Sequence, residues 1–462
     1  MGLIVFARPR TRQIVLSVVV MLPASVASAA TPSPVVAQFE PALAQSGAPL
    51  AARTAQTPWE PTGVVTLRDA VVAALRGNPS LATFPWELRA LEARAVQAGL
   101  RPNPEIGIET ENFAGSGDRN GFDQAETTLW LSQLVEVGGK RAKRQRVAEM
   151  GRSAVAWDYE AARMTVLIET SRAFLRVLAA QERYGILEEL VAVARDTVRT
   201  AEARFRSGAA PAVEWTRALV SRASAQVELE SVTRELRVRR VALAAMWGSS
   251  KAGFSAATGD FETVDSLPPL SALEPLVASN PLAARSAAEL DYRGAVVELE
   301  ASRRLPNPTV QLGARRFDDG DDQALVMQVA VPLPVFDRNQ GALLAARHDL
   351  GRAKAEQLAR ERSLGVALAV AHEQSLAAYD RVTAFRDETI PAARRAFAEA
   401  LDAYKKGRFR YLDVLDAQRT LFELRANYVE SLADYHMARI AIEEATAHPL
   451  HTGDTAAQEN VR

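Results

Sequence analysis

From residue 138 to 207 the chain has no proline, and apolar or small residues alternate three and four positions apart: Val147, Met150, Ala154, Trp157, Ala161, Met164, Ile168, Ser171, Leu175 and Leu178. That spacing holds one seam on a helix face and predicts a coiled-coil helix. The seam changes phase near Gly185 and resumes at Leu187, Val191, Ala194, Val198, Ala201 and Phe205. At 1.5 Å per residue the run predicts a rod of about 105 Å, far longer than a globular core needs. The alanines in the seam imply closely packed neighbours. A second run keeps the spacing at Leu368, Ala371, Ser375, Ala378, Val382 and Phe385, but Pro391 falls inside it. A proline there removes a backbone hydrogen bond and predicts a fixed bend, in preference to a hinge.

A different period appears in four shorter segments, Glu105–Phe113, Thr127–Glu136, Thr309–Phe317 and Ala324–Val335. Ile106 and Ile108 alternate with Glu105, Gly107, Glu109 and Glu111, and Val310, Leu312 and Ala314 with Gln311, Gly313 and Arg315. Leu325, Met327, Val329 and Val331 oppose Val326, Gln328 and Ala330. Period-two alternation over about ten residues predicts strands with one apolar and one mostly polar face. Phe113, Trp130 and Phe317 suit an aromatic belt, with the side of Trp130 open. The connections, Gly115-Ser116-Gly117-Asp118 and Asp318-Asp319-Gly320-Asp321-Asp322, are Gly-rich and acidic and read as solvent loops.

These segments occur twice, at a spacing of about 200 residues. Asn78-Pro79 recurs as Asn280-Pro281, and Pro102-Asn103-Pro104 as Pro306-Asn307-Pro308. Phe205-Arg206-Ser207-Gly208 recurs as Tyr404-Lys405-Lys406-Gly407, with an acid six positions past each glycine, Glu214 and Asp413. Several matches in one order predict an internal duplication. Each copy reads helix, two strands, very long helix, tight turn, helix. The expected organisation is a signal peptide at 1–29 and a Pro/Ala-rich lead-in at 30–62. The first repeat follows at 63–265, with long helices near 138–207 and 211–247. The second occupies 266–447, with long helices near 337–406 and 410–446, before a polar tail at 448–462.

Composition then narrows the classes. Arg8, Arg10 and Arg12 precede the apolar stretch Ile14–Leu22 and the small-residue site Ala27-Ser28-Ala29, the pattern of a secretory signal peptide. The 462 residues hold no cysteine, so disulfides, thiolate metal sites and a lipid-modified cysteine are excluded. A formal net charge of −1 gives no basic footprint for nucleic acid. No later run has the ~18 apolar residues of a membrane helix. An exported chain with such strands is either a soluble periplasmic coiled-coil scaffold capped by hairpins or part of a barrel. Four strands close no useful barrel, and open edges do not sit in lipid, so a membrane location requires strands from several chains.

The duplicated long-helix plan, both Pro-Asn-Pro strand starts, Tyr404-x-x-Gly407 and "YLDVLDAQRTL" at 411–421 resemble the TolC-like outer-membrane efflux proteins, over roughly residues 62–447. "RPNPEIGIETENFAGSG" (101–117) and "ETTLWLSQLVEVGGKR" (126–141) resemble the cobalt–zinc–cadmium branch. The resemblance implies a mainly α fold, with antiparallel coiled-coil helices forming a periplasmic α-barrel. Four strands per protomer would contribute to a trimeric twelve-strand outer-membrane β-barrel. It implies a homotrimer in outer-membrane lipid and a passive duct for divalent heavy-metal cations, with multidrug or small organic export as the alternative. Its partners would be a periplasmic adaptor (membrane fusion) protein and a proton-driven inner-membrane resistance-nodulation-division pump. Membrane location places Glu105, Glu109, Glu111 and Arg315 on the lumen and Asp318, Asp319, Asp321 and Asp322 at the outer mouth. Arg204, Gly208, Glu214, Lys405, Gly407, Arg408 and Asp413 stand at the periplasmic tip, available for closure or adaptor docking.

A conduit needs no catalytic group. No nucleophile motif, phosphate loop or H-E-x-x-H pattern occurs, so no enzyme, cofactor or metal site is expected. His448-x-x-His451 reads as a solvated tail pair, and tight ligands would slow a passing cation.

Overall fold

A computed structural model describes residues 60–450, apart from Asp321 and the side chain of Asp118. The expected signal peptide, nearly all of the lead-in and the tail from His451 lie outside the described residues. The chain runs β1 (Gly63–Val65), α1 (Leu67–Gly77), α2 (Phe84–Ala98), β2 (Glu105–Glu111), β3 (Glu126–Leu134), α3 (Lys140–Arg206) and α4 (Ala212–Ala245). The second half follows with β4 (Phe254–Ala257), α5 (Pro281–Ser302), β5 (Thr309–Phe317), β6 (Gln323–Ala330), α6 (Gln340–Ala384), α7 (Ile390–Lys405) and α8 (Tyr411–Thr446). It is a mainly α fold of long antiparallel helices with a small β part.

The 67-residue α3 buries Ala154, Ile168, Ser171, Leu175, Leu178, Leu187, Val191, Ala194, Val198 and Ala201, all positions of the seam. Trp157 and Phe205 stay 38% exposed. Between Val166 and Ala180 the helix is buried on more than one face, because a collar wraps it. The collar has a part that periodicity did not predict: a parallel pair β1–β4. Three- and four-residue strands are too short to show a period. Gln181 locks this pair to the rod, its amide donating to the Ala257 carbonyl and accepting from the Ala257 N–H, each at 2.8 Å. Trp247, Phe254, Phe261, Phe174 and Leu432 pack around it.

The repeated asparagine–proline pairs have a shared mechanical role. Asn78 Nδ2 donates to the Met246 carbonyl at 2.9 Å, at the end of α4. Asn280 Nδ2 donates to the carbonyls of Glu444 at 2.8 Å and Ala445 at 3.0 Å, at the end of α8. Each asparagine thus satisfies carbonyls left open where the returning helix of its own copy stops.

Pro391 produces a wide turn rather than a break. A π turn, Phe385–Thr389, joins α6 to α7, and the Ile390 N–H reaches back to the Phe385 carbonyl. The wider turn accommodates the ring and the missing donor of the proline, and the helix continues.

The four outer strands form one antiparallel sheet in the order β2-β3-β5-β6, leaving β2 and β6 with free edges. β2 stops at Glu111 rather than Phe113, because Asn112 takes a left-handed φ of 58°. β6 stops at Ala330 rather than Val335, since Pro332 and Pro334 donate no ladder bonds.

Candidate functional site

Register decides which side chains share each face of the sheet. Ile106 pairs with Leu131, Ile108 with Leu129, Leu131 with Leu312, Leu129 with Ala314, Leu312 with Met327, and Val310 with Val329. That face is apolar across all four strands, and it is bare in the single chain: Leu325 is 92% and Ile106 74% exposed.

The opposite face carries Glu105, Gly107, Glu109 and Glu111 paired with Ser132, Trp130, Thr128 and Glu126. Gln311, Gly313, Arg315 and Phe317 continue it on β5, and Ala324, Val326 and Gln328 on β6. The expected set Glu105, Glu109, Glu111 and Arg315 is therefore brought together on one face. Glu126 belongs with them and was missed, standing one residue before the expected strand start; extending the alternation back from Thr128 finds it. Arg315 binds Glu126 at 2.6 Å and Glu111 at 3.0 Å, and its Nε donates to Thr128 Oγ1 at 2.9 Å. One guanidinium thus serves two carboxylates, and Glu105 and Glu109 have no ion-pair partner among the described residues.

The register places Trp130, whose side the alternation left open, and corrects the expectation for Phe317. Trp130 and Phe317 lie on the polar face, by pairing with Gly107 and Glu126, and form no part of a belt on the apolar side. Trp130 lies flat on the wall because glycine stands beneath it: a Cβ at Gly107 would meet its ring at 2.3 Å, and one at Gly313 its Cβ at 3.1 Å. The indole sits between the flanking Glu105 and Glu109. Phe113 stacks on Phe122 in the loop, with centroids 6.1 Å apart.

In the acidic loop, Asp318 pairs with Arg316 at 3.4 Å, and its N–H donates to the Ala125 carbonyl at 3.0 Å. Asp319 and Asp322 are exposed, and Asp321 lies outside the described residues.

The sheet is fastened to the helices by a polar joint between the two copies. Lys140, 7% exposed, opens α3 and donates through Nζ to the Leu305 carbonyl and Asn307 Oδ1, at the start of β5. Burial pushes its amine below the usual lysine range. Arg144 holds Glu136 and the carbonyls of Ala98 and Leu100, and drives the Glu136 carboxyl below its ordinary range.

At the far end Gly208 and Gly407 take φ of 74° and 75°, the left-handed turn between antiparallel helices that glycine permits. The expected tip residues do unlike things. Arg204 crosses between copies, its guanidinium donating to the Tyr404 carbonyl and lying 4.6 Å over the Tyr404 ring. Tyr404 is fully buried and donates its hydroxyl to Glu214 at 3.3 Å. Burial, then the Glu214 charge, pushes its phenol up to about 12. Asp413 instead caps its own helix, accepting from the Arg410 N–H at 2.9 Å. Lys405, Gly407 and Arg408 are exposed. Glu214 and Asp413 are therefore tied up inside the chain, and the exposed cations are what the tip offers outward.

Among the described residues no three His, Cys, Asp or Glu side chains cluster as a metal site, and no helix is long and apolar enough to cross a membrane. His448 Nδ1 contacts the Thr446 carbonyl at 2.9 Å; His451 lies outside the described residues.

Comparison with known proteins adds an independent line. The chain matches the family described as outer membrane efflux protein over residues 70–249 and again over 273–448, one match per copy. It is 34% identical over 386 residues to the cobalt-zinc-cadmium resistance protein CzcC of Cupriavidus metallidurans, covering 84% of this chain and 91% of that one. It is 26% identical over 301 residues to the nickel-cobalt-cadmium resistance protein NccC of Alcaligenes xylosoxydans xylosoxydans, covering 64% and 68%. Among solved structures, the outer membrane protein VceC of Vibrio cholerae superposes with a TM-score of 0.69 at 19% identity, covering 83% of this chain and 97% of that one.

Proposed function

The chain belongs to the outer membrane efflux protein family, whose members are outer-membrane channels with periplasmic helices and not enzymes, and from that premise we propose that it is the exit duct for divalent heavy-metal cations. In this reading three copies join the free edges of β2 and β6 into a closed twelve-strand barrel, since open edges do not persist in lipid. A stripe of exposed valines seven apart on α4, Val213, Val220 and Val227, at 52%, 64% and 68% exposure, supplies an apolar seam for a neighbouring protomer. The duct is passive. It receives cargo through a periplasmic adaptor from a proton-driven inner-membrane pump of the resistance-nodulation-division class, and the exposed Lys405 and Arg408 face that adaptor.

The observation that carries the cation reading is the polar face itself. Four carboxylates against one guanidinium in each protomer, repeated around a low-dielectric wall, concentrate cations and repel anions. The carboxylates are spread along strands and make no tight chelate, which suits conduction over capture. The cadmium and cobalt resistance relatives point the same way. A strain lacking this chain is expected to become sensitive to zinc, cobalt and cadmium while its tolerance of organic antibiotics stays unchanged. Sensitivity to the antibiotics alone would replace metal cations with organic cargo.

A further inference from the structure

The apolar row on the outside of the sheet does not end with the sheet. Beyond β6 the odd-numbered positions Leu325, Met327 and Val329 are followed by Val331, Leu333 and Val335, still exposed, with Leu333 at 79%. Phe336 is 92% exposed beside them, and Leu305, just below β5, is 51% exposed. This shelf lies at the helical end of the strands, opposite the acidic loops, and so at the periplasmic boundary of the bilayer.

Arginines border the shelf. A hollow of about 630 Å³ beside Phe336 is lined by Arg304, Arg338 and Arg347 with Leu343 and Leu344, and no acidic side chain lines it. An adjoining hollow shares Arg304 and Arg338 and reaches Leu305 and Pro334. Arg304 and Arg347 have no ion-pair partner among the described residues; there the Arg338 guanidinium donates only to the Val335 carbonyl, at 3.4 Å, and its backbone N–H to Gln340 Oε1 at 2.8 Å. Neither nearby acid lines these hollows: Asp337 accepts from the Asn339 N–H at 2.8 Å, and Glu300 holds Arg303 at 2.7 Å and Asn339 Nδ2 at 2.7 Å. Three cations are thus left facing outward at head-group depth.

We propose that this collar is a binding site for anionic phospholipid of the periplasmic leaflet. The phosphate sits among Arg304, Arg338 and Arg347, and an acyl chain lies along Leu333 and Phe336. Two observations select a lipid surface over another occupant: the shelf is continuous with the membrane-facing side of the sheet, and its charge complements a phosphate rather than a cation. A guanidinium offers paired donors to phosphate oxygens, and each arginine near an anionic surface adds attraction without covalent attachment. The collar would fix the vertical position of the duct by holding the joint between strands and helices at the lipid head groups.

The test is native mass spectrometry of the full-length mature protein in neutral detergent, titrated with phosphatidylglycerol, with phosphatidylcholine, and with inorganic phosphate as competitor. Phosphatidylglycerol is expected to be retained at about tenfold lower concentration than phosphatidylcholine. The variant R304Q/R338Q/R347Q should lose that preference and R304K/R338K/R347K should keep most of it. R360Q/R362Q, exposed on α6 far from the shelf, should leave it intact. Phe336→Ser should weaken both lipids alike. Equal retention of the two lipids by the wild type, or an unchanged preference in the triple glutamine variant, overturns the proposal. Displacement of phosphatidylglycerol by millimolar phosphate also overturns it, by assigning the arginines to a free anion.

Discussion

The first hairpin, β2–β3, brings Glu105, Glu109, Glu111 and Glu126 to the polar face of the sheet, whereas the second, β5–β6, brings Arg315 with Gln311 and Gln328. The scaffold around them is shared: an asparagine clasping the returning helix, a left-handed glycine at the tip, and strands that begin after Pro-Asn-Pro. What diverged between the copies is what the scaffold leaves free. The first copy carries the negative charge and the unbroken 67-residue rod. The second carries Arg315, the one cation on the polar face of the sheet among the described residues, and the π turn. The copies are then stitched to each other at three levels, by Arg315 to Glu111 and Glu126, by Lys140 to Asn307, and by Arg204 to Tyr404. Duplication followed by division of labour therefore places the electrostatics in one half and its adjustment in the other.

That division has measurable consequences. Neutralising Glu105 and Glu109 together, the two acids without an ion-pair partner among the described residues, should abolish most of the cation preference of single channels in planar bilayers. Arg315→Gln should instead raise it, because Glu111 and Glu126 are released. Equal effects of the two changes would break the contrast between hairpins. At the joint, Lys140→Met leaves the Leu305 carbonyl and Asn307 without their buried donor and should cost about 2–3 kcal/mol. The equivalent position 200 residues on, Gln340, is exposed, and Gln340→Met should lower the melting temperature little. At the tip, Asp413→Ala removes a helix cap and should cost about 1 kcal/mol, while Glu214→Gln keeps an acceptor for Tyr404 and should cost less.

The smallest effect is one of pH. The Tyr404 phenol is raised from its ordinary 10.0 to about 12 in the folded chain. Its contribution is complete below pH 10 and is lost as pH climbs toward 12, where the unfolded chain has released a proton that the folded one still holds. Wild-type protein should therefore lose stability more steeply over that interval than Tyr404→Phe, followed by alkaline denaturation.

Much of this architecture is legible in the amino-acid sequence. The three- and four-residue alternation of α3 names the buried seam, because a long helix has enough turns to average over single exceptions such as Trp157. The glutamate row on β2 was legible because Ile106 and Ile108 mark the other face without ambiguity. Glu126 was lost to a one-residue error at a strand boundary. The side of Trp130 stays open in the sequence because an aromatic residue suits either face of a wall, and only its pairing with Gly107 places the ring. The β1–β4 pair left no periodic trace, and the different fates of Glu214 and Asp413, matched in sequence, are set by a tyrosine 190 residues from Glu214.

The central claim, that one face of the strands meets lipid and the other water, has a direct test because the natural sequence contains no cysteine. Ile108→Cys and Glu109→Cys, adjacent on β2, can each be exposed in intact outer membranes to a charged, membrane-impermeant thiol reagent. The account predicts rapid labelling at position 109 and protection at 108. Equal labelling at both positions, or protection at 109 with labelling at 108, would contradict it.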